Sequence, residues 1–260
     1  MRNSKVLWTV AVLVTLVSAY WQRVSGPTYP LRGDVTIGGQ EVGYRLTRSH
    51  GGATDQPVRL VVPGNVQGEV VWRRFPTSDP WQVIPMVRSG DSLVAALPNQ
   101  PPAGKLEYQV RLRDGSGEVQ LPGRPAVTRF KGEVSALVLI PHIIAMFVTM
   151  LYSTRAGLAA LAGTETRRYV WWTCGALLVG GFVLGPLVQK QAFGEWWAGV
   201  PYGWDLTDNK TLLAGVAWAW ALVSMRGGRV ARGAIIGAAV ATLLVFAIPH
   251  STWGSEIKWQ

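Results

Sequence analysis

The sequence predicts a mixed membrane protein: an N-terminal transmembrane anchor, an exported all-β sandwich of Ig/fibronectin type, and a C-terminal four-helix transmembrane bundle. Three observations predict it. Hydrophobic residues make up 48% of the 260-residue chain and charged residues only 15%, against about 25% charged in an ordinary soluble domain. Apolar runs recur at about 6–20, 134–153, 169–188, 211–225 and 230–249. Between the first run and the rest, residues 27 to 131 carry charges, prolines, glycines and short alternating stretches.

The first run comes after Arg2 and Lys5. It reads as an uncleaved anchor over 1–26, or as a signal peptide cleaved near Val17-Ser18-Ala19. Both export the β-rich segment, and the anchor is the expectation. In the β domain, 27–132, strands are expected at 40–46, 58–62, 69–75, 81–88, 92–97, 106–113, 118–121 and 126–130. Each is bounded by turn signals such as Pro63-Gly64-Asn65 and Asp114-Gly115-Ser116-Gly117. Short strands at regular spacing read as a sandwich. Its one histidine, His50, reads as a solvated loop residue in Ser-His-Gly-Gly.

The four later runs form the domain 133–260. A helix rising 1.5 Å per residue needs about 20 residues to cross roughly 30 Å of hydrocarbon, so the short third run is expected to begin within its polar leader. Gly181/Gly185 and Gly233/Gly237 have the spacing that lets helix backbones approach closely in lipid. Pro141 is expected in a first helical turn and Pro249 at a helix end.

The net charge of +10 does not point to nucleic acid, because the basic residues form no single cluster. Arg155, Arg167, Arg168, Arg226, Arg229 and Arg232 read as residues of two short connections, where the positive-inside rule puts arginines. That orientation sends the β domain outward. The localisation expected is the bacterial inner membrane, multi-pass, with the β domain on the periplasmic or extracellular side. Trp8, Trp21, Trp171, Trp172 and Trp253 fall at run edges and read as an interfacial belt. The lone cysteine, Cys174, excludes a disulfide framework, a CxxC metal site and covalent haem attachment through CxxCH. No Asp, Glu or Lys lies mid-run, which argues against transport.

The same orientation brings three features to the outer face: Ile140-Pro141-His142, the Trp-rich loop of 190–210, and Ile248-Pro249-His250. A neutral imidazole ligates a metal through one ring nitrogen while the other is hydrogen-bonded. His142 and His250 are therefore candidate metal ligands. Singly, His142 reads more simply as bonding a neighbouring helix carbonyl and His250 as facing water. In the loop, Trp196, Trp197, Tyr202 and Trp204 supply flat apolar surface. Glu195, Asp205, Asp208 and Asn209 offer oxygen to a hard cation, but without the alternation of an EF-hand. Asp205 or Thr207 reads as the N-cap of the next helix.

Phe193-Gly194-Glu195-Trp196-Trp197 followed by Gly203-Trp204-Asp205, flanked by His142 and His250, resembles the Trp-rich haem-handling membrane proteins of cytochrome c maturation, over the C-terminal half only. In this chain residues 198 to 202 stand as an insertion. The resemblance implies a haem cofactor with His142 and His250 as axial ligands and Trp196, Trp197, Trp204 and Asp205 at the porphyrin. It implies a haem-binding or haem-handling protein linked to electron transfer; the β domain, which that family normally lacks, is expected to dock a cytochrome or other redox partner. The alternative is a cofactor-free accessory or scaffold subunit of a larger membrane complex. No catalytic constellation is found and an enzyme is not expected. Membrane lipid and a protein partner are the expected partners, with no nucleic acid.

Overall fold

The computed structural model describes residues 2–250 together with Gly254 and Ile257; Trp253 lies outside the described residues. The chain forms two compact units, a helical one from Met1–Pro27 and Val134–Gly254 and a β unit over Thr28–Glu133.

In the β unit, β1 (Leu31–Ile37) and β2 (Gln40–Leu46) form a two-stranded sheet. A five-stranded sheet runs in the order β3 (Ser49–Gly51), β10 (Gly117–Lys131), β9 (Lys105–Asp114), β5 (Gln67–Arg74), β6 (Gln82–Pro85). A third sheet runs β4 (Gln56–Val61), β8 (Ser92–Leu97), β7 (Val87–Ser89). Pairing is antiparallel except between β3 and β10, which run parallel. Alternation decides which face is buried: on β4, Gln56, Val58 and Leu60 point in while Pro57, Arg59 and Val61 point out. Leu46, Leu60, Val70, Leu97, Leu106, Tyr108, Leu112 and Phe130, drawn from all three sheets, share one core. The Tyr108 hydroxyl donates to the Thr47 carbonyl at 2.7 Å, and burial pushes its pKa above the ordinary value.

Several strands differ from expectation. β1 was not anticipated; it is built by Gly38-Gly39, both at positive φ, which close a two-residue hairpin between Ile37 and Gln40. The expected strand 81–88 divides at buried Met86, so that β6 pairs with β5 and β7 with β8. The expected strands 118–121 and 126–130 are one strand, β10, whose register breaks between Leu121 and Ala126. Pro122 and Pro125 lie in that break and have no N–H to give a ladder. His50 sits in β3 rather than in a loop, opposite Phe130 in the parallel pairing, with Nε2 2.8 Å from the Thr54 carbonyl.

The helical unit comprises α1 (Arg2–Ser25), α2 (Ala136–Leu161), α3 (Arg167–Leu177), a π-helical segment (Leu178–Leu184), α4 (Gly185–Phe193), α5 (Leu206–Ser224) and α6 (Arg232–Ala247). Three stretches, Ser4–Ser25, Ala136–Leu161 and Arg167–Phe193, are long and apolar enough to cross a membrane. α5 is made more polar by Asp208, Asn209 and Lys210 near its start, and α6 is a shorter apolar helix of 16 residues. The side chains are distributed as they are for a lipid solvent. Leu13, Val17, Leu137, Ile144, Val216 and Leu244 are exposed, while Ala156, Ala159, Ala160, Ala214, Ala221 and Ala238 are buried. Small residues bring backbones close where lipid removes the hydrophobic drive between helices. Trp218, the largest buried side chain, has its indole N–H on Thr242 Oγ1 at 2.7 Å.

α2 packs against α1, α3, the π-helical segment and α6, and α5 packs against α3 and α6. At one end Gln22 donates to the Phe246 carbonyl at 2.8 Å, and Ser135 N–H to Gln191 Oε1 at 2.7 Å. At the other, Arg155 meets Ser4 and Trp8 meets Tyr152 and Tyr169. Four details correct the sequence reading. Pro141 lies inside α2, beyond the first turn, because Ser135 is the N-cap. Arg155 belongs to α2 and is buried, not part of a connection. Trp8 is half-buried in an aromatic cluster and so is not purely a belt residue. Gly233 and Gly237 face open space; the close approaches are Gly157 to Ala239, Gly180 to Ala145, Gly181 to Thr211 and Gly215 to Phe182.

Candidate functional site

The candidate site lies at the end of the helical unit where α4 stops, α5 starts and α6 stops. α4 terminates because Gly194 adopts the left-handed conformation at φ 85°. α5 starts at Asp205, whose Oδ1 accepts from Thr207 N–H at 2.8 Å and Asp208 N–H at 3.3 Å. Of the two cap candidates, Asp205 is the cap. α6 ends at Ala247, ahead of Ile248-Pro249, because proline has no N–H to continue the helix.

The loop between α4 and α5 is fastened to α5. Asp208 Oδ2 accepts from Ala198 N–H at 2.6 Å and Asn209 Oδ1 from Val200 N–H at 2.8 Å. Gly199 is needed for this approach, since a Cβ there would stand 2.7 Å from Asp208 Cβ. Trp197 stacks on Phe182 with ring centroids 6.2 Å apart and donates its N–H to the Val200 carbonyl. Trp204 is 85% exposed, Tyr202 83% and Trp196 55%. These three rings are exposed, while Trp197 forms the loop's anchor.

His142 is held by the π-helical segment. Its Nδ1 is 2.9 Å from the Gly180 carbonyl, the same carbonyl that accepts from Gly185 N–H. A carbonyl only accepts, so Nδ1 carries the proton and Nε2 keeps its lone pair. Segments with i→i+5 bonding recur at functional sites. Here the wide turn presents Gly180 to α2.

His250 follows the end of α6, where the charges of Lys210 and Asp205 act on its ring. Desolvation, then the Lys210 ammonium, lower its pKa. The residue itself is exposed. Lys210, 7% exposed, donates to the Ile248 carbonyl at 2.7 Å and lies further, at 3.4 Å, from that of Pro249. It ties α5 to the turn that carries His250.

Taken singly, each histidine is placed as its simpler reading has it: His142 bonds the carbonyl of a neighbouring helix and His250 is exposed. Asp205 acts on His250 through its charge while its carboxylate caps α5. Lys210 and Gly180 were missed. Lys210 had a legible signal, a cation directly before an apolar run, whereas nothing in the sequence marks a π-helical turn. Glu195 and Asn209 do not gather into a cation site: among the described residues no group of three or more His, Cys, Asp or Glu stands ready to hold a metal ion. Of the two imidazoles, His142 has its tautomer fixed by a hydrogen bond and keeps a lone pair on Nε2. No family model matches the chain, and no curated protein matches it either.

Proposed function

We propose that this chain is a haem-binding or haem-handling integral membrane protein, with His142 and His250 as axial ligands. The observation that supports the reading is the Gly180 carbonyl on His142 Nδ1, which orients Nε2 as a ligand, with His250 on the turn after α6 that Lys210 fastens to α5. A hydrogen bond on the far ring nitrogen fixes a ligating imidazole and raises its basicity. A bound haem would supply one-electron redox chemistry. His142 and His250 would hold it, Trp197 with Phe182 holds the loop, and exposed Trp196 and Trp204 would offer flat apolar surface to it.

The wider reading is that of a multi-pass protein of the bacterial inner membrane. Its helical unit is a four-helix bundle with an added N-terminal anchor. The β unit is an Ig/fibronectin-like sandwich on the periplasmic side that docks a cytochrome or another redox partner. The arginines at the opposite helix end support that sidedness, and the parallel β3–β10 pair beside antiparallel sheets is compatible with the sandwich.

Titration of haem into the purified full-length chain tests this. A saturable Soret band is expected, lost in the His142→Ala, His250→Ala double variant. A band of equal size in that variant, or no band in the wild type, overturns the proposal.

One observation favours the accessory-subunit reading: the loop completes its own fold through Asp208, Asn209 and Trp197. On that reading Tyr202 and Trp204 are the contact surface, and Trp204→Ala releases a co-purifying partner without touching any spectrum.

A further inference from the structure

The opposite end of the helical unit holds a buried cation whose charge is not answered. Arg155 lies in the last two turns of α2 and is 2% exposed. Its guanidinium carbon stands 4.3 Å from the Tyr169 ring centroid and 5.5 Å from that of Trp8. Aromatic faces thus cover the plane of the cation, a favourable arrangement, but they give its edge no hydrogen-bond acceptor. At the edge, among the described residues, Nη2 reaches only Ser4 Oγ, at 3.4 Å, while Nε and Nη1 have no partner. No carboxylate pairs with Arg155 among the described residues; the nearby Glu165 is engaged by Arg168 at 3.2 Å.

A buried charge left unpaired is costly, and guanidinium is the group that suits the planar fork of an oxyanion. The surroundings add to the field: exposed Arg167, Arg168, Arg229 and Arg232 belong to this same end. Basic pockets between membrane helices take anionic head groups.

We propose that Arg155, with Trp8 and Tyr169 as its walls, is the receptor for a phosphate group. The phosphate displaces the long Ser4 contact and takes the free N–H edge of the guanidinium. The ligand class is the phosphate of an anionic phospholipid head group or free inorganic phosphate. This site is separate from the two histidines and does not rest on the haem reading.

The full-length protein is reconstituted in phosphatidylcholine nanodiscs with a minor fraction of phosphatidylglycerol, re-extracted, and analysed by native mass spectrometry. In parallel, equilibrium dialysis with labelled inorganic phosphate measures the free anion. The wild type should retain phosphatidylglycerol, with retention falling at least tenfold in Arg155→Gln and unchanged in Arg59→Gln, whose side chain points outward from β4. Ser4→Asp places a carboxylate at the guanidinium edge, so it should abolish retention while keeping Arg155 and the packed core. Arg155-dependent binding of labelled phosphate without lipid retention makes the free anion the ligand. Retention of either ligand that is equal in wild type, Arg155→Gln and Ser4→Asp, or retention of neither, overturns the proposal.

Discussion

Two helical glycines should respond in opposite directions to one added methyl group. In Gly180→Ala, the new Cβ would stand 2.8 Å from Ala145 Cβ and 3.0 Å from Met146 Sδ. Ordinary contact begins near 3.4 Å, so the π-helical segment and α2 must part by about 0.6 Å. Overpacking of this kind costs about 1–3 kcal/mol. The same displacement strains the 2.9 Å bond from His142 to the Gly180 carbonyl, whose net worth is about 1 kcal/mol. Gly237 lies inside α6 with nothing within 4 Å of its added Cβ, so Gly237→Ala should gain about 0.5–1 kcal/mol from helix propensity. The assay is thermal unfolding of the detergent-solubilised chain followed by intrinsic fluorescence. Gly180→Ala should melt several degrees below the wild type and Gly237→Ala at or above it. Equal midpoints for wild type and Gly180→Ala would refute the close packing of the π-helical segment on α2.

Single contacts set other outcomes. Asp205→Ala removes the cap of α5 and should cost about 1 kcal/mol, visible as a lower melting midpoint, with Asp205→Asn recovering most of it. Tyr108→Phe deletes the bond to the Thr47 carbonyl and should cost about 1 kcal/mol in chemical denaturation monitored by a β-unit probe. Ser116 Oγ and N–H, then the N–H groups of Gly38 and Gly117, hold the Asp114 carboxyl below its ordinary value of 3.8. A depressed carboxylate stabilises the fold above that ordinary value, and the contribution is lost as pH falls through the lower folded-state pKa. Acid melts of the wild type should therefore show a loss below pH 3.8 that is smaller in Asp114→Asn.

How much the sequence disclosed depended on the range of the interaction. Gln40–Leu46 and Ser92–Leu97 were legible to the residue, because alternation within one strand is local. The division at Met86 was not, since it depends on two sheets competing for consecutive residues. Gly38-Gly39 is a hairpin signal, but β1 alternates too weakly to stand out as its first strand. In the helical unit, composition disclosed the apolar runs, but their ends moved where capping decided them, as Ser135 did for α2 and Asp205 for α5. Gly233 and Gly237 had close-packing spacing and face open space, since spacing does not say which side of a helix meets a neighbour. Arg155 read as a loop cation because an arginine commonly ends an apolar run. Its aromatic walls come from two other helices, 147 and 14 residues away. His142 and His250 were selected by their matched Ile-Pro-His setting. The Gly180 carbonyl on His142 and the Lys210 tie to the turn before His250 were not legible, since each joins residues 38 apart on different helices.

The most direct test of the central claim is electron paramagnetic resonance of the ferric haem complex of the full-length chain. Two axial imidazoles give a low-spin signal, and His250→Ala should convert it to high spin while haem remains bound through His142. A low-spin signal that is the same in wild type, His142→Ala and His250→Ala would contradict the account.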